Sequence, residues 1–499
     1  MTAPKVDIAA SGKCILEVPF SSLTAPPISI SSAQPCRFRL VDCRSFKEGR
    51  SLRILEFNEL PASQYATISY VWRGLQPTAD VAQMIIDGTD KKGRISVDVL
   101  RIACGALLEL GCELLWVDGL CIIQGNETDK GWQMQRMYDI YKSCAKCLVV
   151  PGGLLRLAEL PEETSWIHRA WTLQEAIAPP SAECLFSWTA GECILQSNMS
   201  TAVHEVEKGV AAIANMKSLL ETSMSSRCAV IKEGDEEDSE TEVEVKILGN
   251  GSQLQALLGA LDLRGVAGFE NAVWRSSFTR TAKYAVDNVY AIMGVLGVTL
   301  NTLKFGQNDR VPATIELMQA LLDKGHQAEW LAIATKMENN PSISTIPVFP
   351  EPSPAGKAVV KTEQGEVDVS SLMDGWWMIA DTPKGVLDSA GYLEFNAPAA
   401  SIKKASPGAS NPDTRLGDDA DWEVLPTHEG PFYAVFVGTK QPYLNGVAPW
   451  ISDPNDCVLM LLEEHLPGKF HSIGYVFASK AALESQAWSA ASFMVGPRA

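Results

Sequence analysis

The sequence is poor in basic residues and has no long apolar run. It contains 42 Lys and Arg against 60 Asp and Glu, which gives a formal net charge of −18 over 499 residues. Such an acidic surface repels phosphate backbones and anionic lipid, which argues against nucleic acid and membranes as partners. The longest nearly uncharged apolar stretch, at 289–300, is too short to cross a bilayer, and residues 1–12 lack the pattern of a targeting signal. We therefore expect a cytoplasmic protein.

Signatures of common catalytic and metal sites are also missing. The sequence has no phosphate-cradling G-x-x-x-x-G-K-[ST], no H-E-x-x-H and no G-x-S-x-G motif. Its twelve cysteines are irregularly spaced, and most of them lie in apolar runs. Cys144 and Cys147 form a lone C-x-x-C, for which packing is the favoured interpretation and zinc or redox chemistry the alternative. We predict no metal site and no bound cofactor.

Strand and helix patterns alternate between residues 38 and 150. Strands are predicted at 38–41, 52–57, 65–71, 113–118 and 147–150, and helices at 97–110 and 129–143. This order is typical of a mainly parallel sheet flanked by helices on both faces. Right-handed crossovers would bring the ends of the strands at Tyr70, Asp118 and Val150 to one edge, where open parallel sheets bind ligands.

Composition predicts how the remaining chain is organised. Residues 1–35 are rich in Ser, Pro and Ala and are expected to be a flexible lead-in to an α/β domain at 36–200. A helical region is expected at 201–345. It is interrupted at 232–246 by an acidic segment that we interpret as a mobile, solvated surface loop. Short strands broken by Gly, Pro and Asn then predict a β-rich C-terminal domain at 350–499.

Four Trp- and Tyr-rich segments follow one another along the chain. They read YATISYVWRG at 65–74, LWVDGLCIIQ at 115–124, QMQRMYDIY at 133–141 and WIHRAWTLQE at 166–175, and DNVYAIMG follows at 287–294. Together, in this order, they resemble the fungal heterokaryon-incompatibility (HET) domain family. The sequence departs from the family's usual Ser-Tyr-x-Trp-Gly because Arg73 separates Trp72 from Gly74. It also has Ile123 where the family often has a polar residue.

The HET family itself resembles the TIR fold, a flavodoxin-like and mainly parallel sheet. Many TIR domains cleave NAD at the nicotinamide–ribose bond with a glutamate four residues after a tryptophan, a spacing that Trp171 and Glu175 share. A carboxylate suits this reaction because it stabilises the oxocarbenium-like transition state. The resemblance therefore implies Glu175 as the catalytic residue and NAD as the candidate nucleotide substrate. It implies these binding residues: Tyr70, Trp72, Arg73, Asp118 and Trp171.

These residues also have purely structural interpretations. Glu175 could be a solvated helix residue, Trp171 a core anchor, Asp118 a helix cap and Arg73 a surface cation. If 166–177 forms one helix, Glu175 shares a face with Trp171 and His168 and points to the edge of the sheet.

The leading functional prediction is a fungal effector of non-self recognition or programmed cell death that cleaves NAD and is activated by self-association or a protein partner. Two alternatives stay open. One is a non-enzymatic signalling and self-association module that uses the same fold, and the other is a TIR-like scaffold repurposed as a metabolic enzyme.

Overall fold

A computed structural model describes most of the chain. The described residues are 12–61, 64–89, 93–225, 227–232, 241–249, 251–363, 365–373, 377–405, 415–416, 421–427, 430–442, 456–484 and 487–498. The acidic loop predicted at 232–246 falls mostly on residues 233–240, which lie outside the described residues. Two compact units are present, Met1–Asn250 with Asn301–Lys304 and Gly251–Leu300 with Phe305–Ala499. Within the described ranges, no helix combines the length and the apolar character needed to span a bilayer.

The first unit is built on one twelve-stranded sheet with a separate two-stranded hairpin. Its strands are β1 Lys13–Pro19, β2 Phe38–Asp42, β3 Ser51–Phe57, β4 Tyr65–Tyr70, β5 Gln83–Ile85, β6 Arg94–Ser96, β7 Leu114–Trp116, β8 Lys146–Val150, β9 Ala182–Ser187, β10 Cys193–Gln196, β11 Ser200–Glu207, β12 Ala211–Asn215, β13 Cys228–Ile231 and β14 Thr241–Val243. The order across the sheet is β1-β3-β2-β7-β4-β8-β9-β12-β11-β10-β13-β14, and β5 pairs with β6.

Four neighbouring strands, β7, β4, β8 and β9, run parallel at the centre of this sheet. The strands predicted at 65–71, 113–118 and 147–150 are therefore confirmed, although the prediction of a mainly parallel sheet is wrong for the sheet as a whole. The other pairs described in this sheet are antiparallel. Where the paired strands are consecutive, as in β2–β3, β10–β11 and β11–β12, the connection is too short for a crossover helix. In chain order the parallel strands lie 2-1-3-4, so the crossover direction reverses between β4 and β8.

The helices described in the first unit are α1 Cys43–Lys47, α2 Val97–Glu109, α3 Asp118–Cys121, α4 Glu127–Lys142, α5 Trp171–Ile177 and α6 Met216–Thr222. Polar side chains cap the N-termini of four of these six helices, namely α1, α2, α4 and α6. The helices predicted at 97–110 and 129–143 are confirmed as α2 and α4. Helix α4 begins earlier than predicted because the Asn126 side chain accepts a hydrogen bond from the Asp129 amide and so caps it.

Two segments of this unit differ from the sequence-based expectation. Residues 13–19 were expected in a flexible lead-in, but as β1 they pair antiparallel with β3, whose edge would otherwise leave backbone groups unpaired. A mostly helical region was expected from residue 201, but β11, β12, β13 and β14 extend the sheet there, and α6 lies between β12 and β13. In β11, Thr201 and Val203 are buried while their neighbours are exposed, a period of two that is typical of a strand.

The second unit contains helices followed by the expected β-rich region. Its helices are α7 Gly251–Asp262, α8 Phe269–Phe278, α9 Asp287–Met293, α10 Arg310–Asp323, α11 Val369–Leu372 and α12 Lys480–Leu483. Its strands are β15 Glu351–Pro352, β16 Ala358–Thr362, β17 Gly365–Asp368, β18 Trp377–Ala380, β19 Gly385–Leu387, β20 Leu393–Lys404, β21 Arg415–Leu416, β22 Trp422–Val424, β23 Phe432–Pro442, β24 Cys457–Leu466, β25 Lys469–Ala478 and β26 Ser489–Val495.

The long strand β20 closes a ring in this β-rich region. Its first part pairs with β26 and its middle pairs with β23, while β23, β24, β25 and β26 pair in succession. Five strands therefore form a closed barrel-like sheet, which removes the exposed edges that an open sheet would present. Rings of Phe395, Tyr433, Phe470 and Phe493 pack against one another on these strands.

Candidate functional site

Strand β4 carries the candidate site because it lies beside the reversal in strand order and ends at Tyr70. Successive side chains of a strand point to opposite faces of the sheet. Ser69 therefore faces the side that α4 and α5 cover, where Tyr65 of the same face donates a hydrogen bond to the carbonyl of Ile140 in α4. Tyr70 faces the other side. Two separate clusters of polar side chains form around Ser69 and Tyr70.

The first cluster joins Ser69 to Glu175. The Ser69 hydroxyl donates to Oε2 of Glu175 across 2.5 Å and accepts from Nε1 of Trp166 across 2.8 Å. Ser69 and Trp166 are fully buried, and Glu175 is 9% exposed. Glu175 is thus not the solvated helix residue of the structural interpretation. A buried carboxylate is costly without hydrogen bonds, and the Ser69 hydroxyl supplies one of them.

The segment 166–177 is not one continuous helix, which corrects the expectation for this region. A short 3₁₀ turn spans Trp166–His168, and α5 begins only at Trp171. The backbone breaks at Arg169, whose extended conformation ends the turn. His168 therefore does not share a helical face with Glu175. Trp171 lies half-buried in the first turn of α5, and among the described residues it takes no part in the hydrogen bonds of either cluster.

The second cluster converges on Asp118. Helix α3 begins at this residue directly after β7, and β7 is the parallel neighbour of β4. The Tyr70 hydroxyl donates to Oδ1 across 2.5 Å, and Nε1 of Trp72 donates to Oδ2 across 2.6 Å. The Gly119 amide donates to Oδ1 across 2.6 Å. Three of the predicted binding residues, Tyr70, Trp72 and Asp118, are therefore brought together. The Asp118 carboxylate accepts hydrogen bonds from the other two and from the Gly119 amide.

Burial sets the electrostatics of this second cluster. Desolvation raises the pKa of Asp118, while the hydrogen bonds from Tyr70 and Trp72 and the positive charge of Arg169 oppose that rise. Burial also raises the pKa of the Tyr70 phenol, and the adjacent Asp118 and Glu175 raise it further. Tyr70 therefore stays a neutral donor over the physiological pH range. The two clusters lie on different faces of β4, yet the charges of both Asp118 and Glu175 raise the pKa of Tyr70.

An open cleft adjoins the second cluster and contains Arg73. Its volume is about 740 Å³. Its lining residues are Trp72, Arg73, Gly74, Gln76, Pro77, Thr78, Ala79, Asp80, Gln83, Arg94 and Leu155. Trp72 belongs to both the cleft and the Asp118 cluster, whereas Glu175 does not line the cleft. Glu175 was expected to point to the edge of the sheet where ligands bind, but the cleft lined by Trp72 and Arg73 does not include it.

Three further residues were not singled out from the sequence. Ser69 lies inside the first motif, and the alternation of β4 could have shown that it faces away from Tyr70. Trp166 opens the fourth motif, but nothing in its spacing pairs it with Ser69. Arg94 begins β6 and joins Arg73 in the cleft, a proximity that no local pattern encodes.

The C-x-x-C pair is a packing feature. Cys144 and Cys147 are both buried, and the Thr67 hydroxyl donates to Sγ of Cys144 across 3.4 Å. Burial raises the pKa of Cys144 to about 11 and also raises that of Cys147, so both thiols stay protonated and unreactive at neutral pH.

Comparison with known proteins supports the family that the motifs indicated. Residues 65–156 match the family "Heterokaryon incompatibility protein (HET)", which confirms the resemblance for this segment. The chain is also 24% identical over 178 residues to "Vegetative incompatibility protein HET-E-1" of Podospora anserina. That alignment covers 34% of this chain and only 13% of the relative. No solved structure matches the chain.

Proposed function

We propose that this chain, whose residues 65–156 match the HET family, acts in heterokaryon incompatibility as an effector that cleaves NAD with Glu175. The P. anserina relative is named as a vegetative incompatibility protein, which supports a role of this type for the shared segment. We also propose that the first unit is TIR-like. The 2-1-3-4 order of its four parallel strands, as in flavodoxin-like sheets, supports that assignment.

The observation that carries the enzymatic proposal is the bond between Ser69 and Glu175. It holds a carboxylate near the carboxyl end of the central strand, next to the reversal in strand order where open α/β sheets bind ligands. Trp166 fixes the Ser69 hydroxyl in turn. Because this carboxylate is buried and already oriented, it interacts more strongly with a positive charge that develops in the transition state.

The proposed reaction requires little beyond this carboxylate. The bond between C1′ of the ribose and the nicotinamide nitrogen breaks, and its electron pair leaves with neutral nicotinamide. The Glu175 carboxylate stabilises the oxocarbenium-like transition state. Water then adds to C1′ and releases a proton to solvent, which gives ADP-ribose. Neither a metal nor a bound cofactor takes part.

Nicotinamide release from NAD tests this proposal. Concentrated full-length protein is incubated with NAD, and free nicotinamide is quantified by chromatography. Glu175→Gln keeps an oxygen that accepts from Ser69 but removes the charge, so we expect the rate to fall about a hundred- to a thousandfold. Glu163→Gln, at an exposed glutamate of the same unit, is the matched control and should keep the wild-type rate.

The result also decides between the enzymatic and the non-enzymatic function. Equal rates in wild type and Glu175→Gln would assign the chemistry to another residue. A folded wild-type protein that releases no nicotinamide, even when self-associated, would favour the non-enzymatic signalling module. The observation that favours this second candidate is that the Ser69 hydroxyl bonds to both Trp166 and Glu175, and none of these three residues lines the open cleft.

A further inference from the structure

We propose that the open cleft beside Trp72 binds the diphosphate group of a nucleotide, and that Arg73 and Arg94 hold it. This inference concerns binding alone and stands whether or not Glu175 is catalytic. The cleft lies entirely within the first unit. One side is formed by the chain after β4, another by the β5–β6 hairpin and a third by Leu155. Its volume of about 740 Å³ lies within the range of small-molecule sites.

The charge of the cleft differs in sign from that of the protein. Arg73 and Arg94 line it together with one acidic residue, Asp80, so two positive charges and one negative charge leave a net charge of one positive. The whole chain carries −18. Among the residues that the structure describes, no salt bridge joins either arginine to a carboxylate. Guanidinium groups bind phosphate oxygens in a bidentate way, so two of them suit a diphosphate.

Backbone hydrogen bonds hold the walls of the cleft in place. The Leu75 amide donates to the Gly152 carbonyl across 2.7 Å, and the Ser96 amide donates to the Leu154 carbonyl across 2.8 Å. These bonds tie the chain after β4 and strand β6 to the loop after β8. At Gly74 a side chain would collide with the backbone of Gly152, so the two loops approach as closely as glycine allows. A preformed cleft costs little ordering entropy when a ligand binds.

The inner end of the cleft offers an aromatic surface beside the Asp118 cluster. The Trp72 ring is fixed by its hydrogen bond to Asp118 and lies parallel to Tyr70, with 6.5 Å between the ring centroids. A small second cavity shares Trp72 and Arg94 with the cleft and reaches Tyr70 and Gly119. A nucleotide whose diphosphate lies between the arginines would therefore extend its nucleoside towards Trp72, since bases and sugars pack on indole faces.

Calorimetric titration of the full-length protein with ADP tests the proposal. We expect ADP to bind more tightly than adenosine, because only ADP offers phosphate oxygens to the arginines. Arg73→Gln and Arg94→Gln should each weaken ADP binding about tenfold, and the wild-type affinity should fall as salt is added. Arg50→Gln, at an exposed arginine that pairs with Glu48 outside the cleft, should bind ADP like the wild type. Inorganic pyrophosphate should compete with ADP.

Several results would overturn the proposal. These are equal affinities for ADP and adenosine, unchanged ADP affinity in Arg73→Gln and Arg94→Gln, and no measurable ADP binding by folded protein. Pyrophosphate that binds as tightly as ADP would refute the part played by Trp72. Circular dichroism checks that each variant is folded, which we expect because both arginines are exposed. The nicotinamide assay is separate, so failure of cleavage and failure of binding are distinguishable.

Discussion

The hydroxyl of Ser69 donates a 2.5 Å hydrogen bond to Glu175, a residue 106 positions later in the chain. It also accepts the indole N–H of Trp166, so a single buried hydroxyl links the first and fourth motifs. Ser69 is the centre of this cluster, because the other two residues meet through it. Whatever the chemistry of Glu175, the Ser69 hydroxyl is one of the groups that hold its carboxylate.

Ser69→Ala should therefore destabilise the protein. It removes one hydrogen bond from each of two buried groups, and we expect the free energy of unfolding to fall by about 1–3 kcal/mol. Urea unfolding followed by circular dichroism measures the change. Ser31→Ala, at an exposed serine, should change the free energy of unfolding by no more than about 0.5 kcal/mol. Equal stability of the two variants would show that the Ser69 bonds contribute nothing.

The bond between Trp72 and Asp118 predicts coupling between two substitutions. Asp118→Asn replaces one carboxylate oxygen with an NH2 group, which can only donate. This NH2 group must face the N–H of either Trp72 or Gly119, so we expect the free energy of unfolding to fall by about 1–3 kcal/mol. Trp72→Phe removes the indole donor. Trp72→Phe should therefore lower the free energy of unfolding by less in the Asp118→Asn variant than in the wild type. Unfolding curves of the four proteins should give a coupling energy of about 1 kcal/mol. Strictly additive effects would contradict the bond.

The buried pair of Arg39 and Asp129 predicts a strong effect on folding. Both side chains are fully buried and joined by two hydrogen bonds of 3.0 and 3.1 Å. Asp129→Ala leaves the Arg39 charge without its main partner, so we expect a loss of about 3–5 kcal/mol, seen as a lower melting temperature. Asp139→Ala, at an exposed aspartate of the same helix, should melt close to the wild type.

Glu329 in the second unit predicts a dependence of stability on pH. Burial raises the pKa of its carboxyl to about 7, and the negative charge of Glu270 adds to the rise. The folded state therefore binds a proton that the unfolded state releases near pH 4. The resulting stabilisation is complete below about pH 4 and is lost as the pH rises through about 7.

Glu329→Gln removes this titration while keeping an oxygen that accepts from the Asn271 amide. The variant should lose less stability between pH 5 and pH 8 than the wild type does, as measured by urea unfolding at several pH values. Glu338→Gln, at an exposed glutamate, should follow the wild type. Parallel profiles for wild type and Glu329→Gln would show that the Glu329 carboxyl does not titrate in this range.

Much of the parallel centre could be predicted from the sequence. The apolar period of two in β4 and the period near 3.6 in α2 and α4 are local properties, and each specifies its element whatever the neighbours do. The motifs around Tyr70, Asp118 and Glu175 likewise each lie in consecutive sequence and indicated the HET family, which residues 65–156 match. The prediction of a helical region was wrong for β11 to β14, because short alternating runs such as β11 carry too few residues to distinguish a strand from part of a helix.

The sequence by itself determined the central strands and helices, the HET family of residues 65–156 and which polar residues follow the strands. Only the tertiary structure decided how those residues group. Ser69 and Tyr70 are neighbours in sequence, but the pleat of β4 sends one to Glu175 and the other to Asp118. Arg94 joins Arg73 because a hairpin folds beside the end of β4. Hydrogen bonds and packing between distant segments fix these groupings, and no local pattern of residues carries that information.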